Sequence, residues 1–114
     1  MSIGKIADNG NKGSDFSYRY GMLRDKRCVG YEKITVADSV LGFTVPEGST
    51  YALVSVECAG EDGIRCRFDG GDATVIDGHL FKDGGTFDVF NRINLVKFRC
   101  IGATGGVLHV SYYI

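Results

Sequence analysis

One proline, no tryptophan, two methionines and two histidines leave little material for several kinds of site. The histidines, His79 and His109, show no ligand spacing. Four cysteines, Cys28, Cys58, Cys66 and Cys100, include no Cys-x-x-Cys pair and are spread too widely for a zinc ribbon or knuckle. No apolar run approaches the length that crosses a bilayer as a helix. Met1-Ser2-Ile3-Gly4-Lys5 opens into polar residues and not into the apolar centre of a signal peptide, which predicts a protein made and used in a cytoplasm. No serine sits in a nucleophile elbow, and the glycine-rich turns lack the strand, Gly-x-x-x-x-Gly-Lys and helix of a phosphate loop. No cofactor, no metal and no catalytic residue is expected.

What the chain does have is glycine and aromatics: 17 Gly, 6 Tyr and 7 Phe in 114 residues, with 44% hydrophobic content. That length suits one domain with its own core, and that composition describes many turns between aromatic-bearing strands. The net charge of −1 conceals an asymmetry. Residues 1–27 carry six basic against three acidic side chains, net +3, and residues 28–114 carry seven against eleven, net −4.

The basic segment predicts an extended N-terminal arm over residues 1–30. Its glycines, asparagines and serines are too frequent, and its apolar residues too irregular, to bury a face alone. Yet Phe16, Tyr18 and Tyr20 alternate around Arg19 and would share one side of an extended segment. Such a segment suits a surface, either on its own domain or on a neighbouring subunit. Single-stranded nucleic acid is a weaker third option, because the acidic body would repel it.

From Tyr31 to Ile114 the pattern predicts the body. Ile34 and Val36 alternate with Lys33 and Thr35; Phe43 and Val45 flank Thr44 before a turn at Pro46-Glu47-Gly48-Ser49. Ala52, Val54, Val56 and Cys58 form one apolar face, and Ile64, Cys66 and Phe68 another. Glu61-Asp62-Gly63 predicts a hairpin between those two strands, and Asp83-Gly84-Gly85 a second hairpin joining His79–Lys82 to Thr86–Phe90. Val96, Phe98 and Cys100 are expected to face inward, as are Leu108, Val110, Tyr112 and Ile114 after the Gly105-Gly106 turn. Seven or eight short strands and no convincing helix predict an all-β, two-layer β-sandwich of Greek-key or jelly-roll type.

Cys58, Cys66 and Cys100 fall on apolar faces, where a reduced thiol acts as a small hydrophobe. Were a disulfide to form, Cys58 and Cys66 across the proposed hairpin would be its first candidates. Asp69-Gly70-Gly71-Asp72 with Asp77 could collect carboxylates around calcium, although Asp-Gly pairs serve tight turns without any ion. Arg65 and Arg67 share a strand face, as do Lys97 and Arg99; if the strands are neighbours, the four form a basic patch for a partner's carboxylates or simply a solvated outer face. Tyr31, Tyr51 and Tyr113 are the rings available to a sugar, should the body be a carbohydrate-binding module.

The wording of one region is also familiar. Ile64-Arg65-Cys66-Arg67-Phe68-Asp69-Gly70, then Gly78-His79-Leu80, the Asp83-Gly84 turn and a closing Val110-Ser111-Tyr112-Tyr113, resembles small β-rich structural proteins of tailed bacteriophages. The similarity runs from Ala52 to Ile114, and Ala73 stands where those proteins commonly carry proline, so the loop is expected to be more flexible here. The resemblance implies a virion protein assembled in the host cytoplasm. A head decoration or cement protein is the first option, and a neck, tail or fibre-base component the alternative. It implies as partners the major capsid protein or other virion proteins, and a homo-oligomer, with a trimer among the options; neither membrane nor nucleic acid is expected. The residues expected to carry those contacts are Phe16, Tyr18, Arg19 and Tyr20 of the arm, and Arg65, Arg67, Lys97 and Arg99 of the body.

Overall fold

A computed structural model describes residues 25–59 and 62–114. Among the described residues, seven strands and one short helix follow in the order β1 (Cys28–Val36), β2 (Tyr51–Glu57), β3 (Ile64–Arg67), β4 (His79–Phe81), β5 (Thr86–Phe90), α1 (Arg92–Lys97), β6 (Arg99–Ile101) and β7 (Gly106–Tyr113). They form two antiparallel sheets, one ordered β1-β7-β2-β5 and the other β4-β3-β6. The architecture is all-β and sandwich-like. The first described strand starts at Cys28, just inside the expected arm, where Arg27 and Ile114 exchange backbone hydrogen bonds. Phe16, Tyr18, Arg19 and Tyr20 lie outside the described residues.

Period-two patterning fills the space between the sheets. Ile34 and Val36 from β1, Ala52, Val54 and Val56 from β2, Phe87 and Val89 from β5, and Leu108, Val110 and Tyr112 from β7 meet Ile64, Cys66, Phe98 and Cys100 from the other side. Aromatic rings join the layers: Phe81 stacks on Phe87 at 4.2 Å, and Phe43 on Phe98 at 4.0 Å. Ring pairs of this kind add to the burial that drives packing.

Both expected hairpins are absent, for one physical reason. Apolar alternation identifies a strand and its buried face, but not the strand it pairs with. A hairpin of β2 with β3 would place Val54 and Cys66 on one sheet face; instead they belong to opposing sheets and face each other's layers. Likewise Lys82–Gly85 carries the chain from β4 in one sheet to β5 in the other, pinned by Gly84 N and Gly85 O bonding to Val56. Cys58 and Cys66 are therefore not cross-strand neighbours.

The segment 37–50 closes one side of the sandwich. Leu41 exchanges two backbone bonds with Cys100, and Ala37 accepts from Gly102 N. No strand runs through Phe43–Val45; the segment is held by ring packing and by the Pro46–Ser49 turn.

Nor was α1 expected. Asn91 caps it, its side chain accepting from Ile93 N at 3.2 Å while its carbonyl accepts from Leu95 N. The turn buries Leu95 and leaves Val96 53% exposed, which reverses the inward assignment of Val96. Phe98 and Cys100 are fully buried as expected, whereas Ile114 is 40% exposed beyond the end of β7.

Candidate partner-binding site

The connection between β3 and β4 is the most elaborately braced surface segment. Arg67 reaches forward to Asp69 through two bonds, Nε to Oδ1 at 3.0 Å and Nη2 to Oδ2 at 2.6 Å, and its Nη1 donates to the Asp72 carbonyl at 3.3 Å. Asp69 Oδ1 also accepts from Gly71 N. The guanidinium and that backbone bond hold the Asp69 carboxyl down to about 2, below its usual 3.8. The guanidinium packs closely over Gly71, where a Cβ would lie 2.5 Å from Arg67 Nη2 and the arginine end would have to move aside. The returning limb is tied down by Arg65, whose Nη1 donates to the Gly78 carbonyl at 3.0 Å, and by buried Ala73.

Between the two limbs Thr74 and Asp77 exchange both backbone hydrogen bonds, at 2.9 and 3.2 Å, and Ile76 N donates to Thr74 Oγ1. The tip is thus a closed turn. It carries Val75, 51% exposed, and Ile76, 83% exposed. A hollow lies on each side. One, of about 680 Å³, is lined by Arg67, Phe68, Asp69, Asp77, Gly78 and His79; the other, of about 350 Å³, has Arg65, Val75, Leu80 and Ile101 among its walls.

The four basic residues singled out in the body do gather at this sheet. Arg67 is the register partner of Arg99 and Arg65 of Ile101, while Lys97 ends α1 just before β6 and runs its stem past Gly70. They are not four open cations. Arg65 and Arg67 hold the loop, and Arg99 Nη1 donates to the carbonyls of Val96 and Phe98 at 3.0 and 2.7 Å. Lys97 is exposed, and the loop above these residues also presents the aliphatic pair Val75 and Ile76 to solvent. The available signal was an unalternated Thr74-Val75-Ile76 run framed by Asp72 and Asp77. Of the carboxylates weighed as a calcium alternative, Asp69 is paired with Arg67; among the described residues no three His, Cys, Asp or Glu side chains converge.

A second polar feature lies on the outer face of the four-stranded sheet. Tyr31 Oη lies 2.6 Å from His109 Nδ1, and His109 Nε2 lies 2.9 Å from Glu57 Oε1, which links β1, β7 and β2 in one chain of bonds. With Nε2 protonated toward Glu57, Nδ1 accepts from the phenol and every group in the chain is satisfied. Of the three rings considered for sugar, Tyr31 is 61% exposed, Tyr113 is half-buried, and Tyr51 is buried against Phe90 and Tyr113.

Fold and site together define an all-β, two-sheet body with a braced apolar loop. Comparisons with protein-family models, curated proteins and solved structures found no significant match to this chain.

Proposed function

We propose that this chain is a structural protein of a tailed-phage virion, a head decoration or cement protein that binds the capsid shell through its β body and its arm over residues 1–30. The observation that carries the reading is the Val75–Ile76 tip. Two adjacent aliphatic side chains stand in water on a loop held by an Arg-Asp pair and a closed turn, a geometry suited to entering a partner's pocket without an ordering cost. Burying both would contribute about 3–5 kcal/mol per copy by area, before the costs of association. In a homo-oligomer, several such contacts on linked copies would add through avidity.

Phe16, Tyr18, Arg19 and Tyr20 supply the second contact in this reading, and Greek-key or jelly-roll connectivity belongs to it as well. The test is occupancy of undecorated capsids by the full chain, by Val75→Ser/Ile76→Ser, and by Phe16→Ala/Tyr18→Ala/Tyr20→Ala, read by gel densitometry of purified particles. Loss in either variant supports docking; full occupancy by both rejects it. Electron microscopy of the particle separates the head from a neck, tail or fibre-base position. The carbohydrate reading retains one open ring, Tyr31, and a glycan array probed with Tyr31→Ala as control decides it.

A further inference from the structure

Cys66 on β3 and Cys100 on β6 are direct register partners, both fully buried on the inner face of the three-stranded sheet. Residue 100 directs both its N–H and its C=O away from β3, to Leu41, at 2.8 and 3.0 Å. In an antiparallel ladder this makes Cys66 and Cys100 a non-hydrogen-bonded pair, the type whose Cα atoms approach to about 4.5 Å with side chains closest. A disulfide needs Cα atoms roughly 4.4–6.8 Å apart and Cβ atoms on the same side, which is the geometry this class of cross-strand pair provides. The other two cysteines are placed differently. Cys28 is exposed near Gly30, and Cys58 is half-buried beyond the end of β2 in the other sheet.

We propose that Cys66 and Cys100 are a latent cross-strand disulfide site, reduced where thiols are kept reduced and closed by an oxidant of the peroxide or disulfide class. With peroxide, one thiolate attacks an oxygen, the O–O bond breaks, hydroxide leaves and the sulfur becomes a sulfenic acid. The second thiol then attacks that sulfur; the S–S bond forms, and the sulfenic oxygen departs as water with the thiol proton. Two electrons pass from the sulfurs to the peroxide. Burial sets the rate. Desolvation raises both thiols, Cys100 to about 12 and Cys66 further, with the neighbouring Cys100 adding to the rise at Cys66, so the thiolate is scarce until the sheet opens. The bridge would join β3 to β6 in a sheet of strands only three and four residues long. That sheet carries the Val75–Ile76 loop, so its rigidity becomes dependent on the redox surroundings. This site does not depend on the virion reading.

The test uses the full chain with Cys28→Ser/Cys58→Ser, which leaves only the two facing thiols. Reduced protein is unfolded in urea and refolded in mixed reduced and oxidised glutathione, so that the thiols are reachable before they are buried. The expected product is one intramolecular disulfide, seen as the loss of two hydrogen atoms by intact mass. Its Tm should lie on the order of 10 °C above that of the same protein after reduction. Refolded protein with two free thiols or two glutathione adducts, or a bridged form melting below the reduced form, overturns the proposal. The unsubstituted chain, treated the same way and mapped by peptide mass, should link Cys66 to Cys100; a Cys58–Cys66 link also overturns it.

Discussion

Tyr112 Oη donates to Glu32 Oε1 at 2.6 Å, and Thr44 N donates to the same oxygen at 3.0 Å. Glu32 lies on the core-facing side of β1, in phase with Ile34 and Val36, so the strand's own period turns this carboxylate inward. It is tolerated because the ring of Tyr112, 1% exposed, and the 37–50 segment supply donors where water is scarce. Tyr112→Phe should destabilise the fold by about 1–2 kcal/mol, read as a lower urea midpoint with unchanged slope. Burial and the facing Glu32 carboxylate push the Tyr112 phenol up from its usual 10.0. Its contribution is therefore complete below pH 10 and falls as the pH rises beyond that value, a loss that Tyr112→Phe should not show.

Asp69 gives the opposite sign. Its carboxyl is lower when folded, so the Arg67–Asp69 brace stabilises above the unfolded value of 3.8 and is lost as the pH falls toward about 2. The difference in Tm between the parent and Asp69→Asn should thus be constant near neutrality and vanish across that acid window. A difference that persists at low pH would mean that Asp69 acts through its bond to Gly71 N and not through its charge.

Gly63 enters β3 with a φ of 69°, and a Cβ there would stand 2.6 Å from the Phe81 carbonyl oxygen. Both the backbone conformation and the contact oppose a side chain. Gly63→Ala should cost about 2 kcal/mol or more, with protection of β3 and β4 amides in hydrogen exchange falling before that of the four-stranded sheet.

Val75→Ser/Ile76→Ser removes apolar surface that is already in water. Thermal stability should stay within about 0.5 kcal/mol of the parent while particle binding falls. A large loss of stability would place these side chains in the fold rather than at an interface.

Much of the body was legible because local physics wrote it. The alternation Ala52-Val54-Val56 and Leu108-Val110-Tyr112 identified two strands and their inner faces, and Asp83-Gly84 marked a turn closed by Gly85 N on the Lys82 carbonyl, since both are properties of a few consecutive residues. Partner choice is another matter. Whether Cys66 faces Cys58 or Cys100, and whether Phe81 and Phe87 belong to one sheet or stack across two, depends on distant segments competing for the same edges, which only the closed sandwich decides. Arg67 shows the same division. Its charge and strand position were plain in the sequence, but its bonds to Asp69 and the Asp72 carbonyl beneath Val75 and Ile76 were not, because only the bend of the folded loop brings those oxygens within reach of the guanidinium.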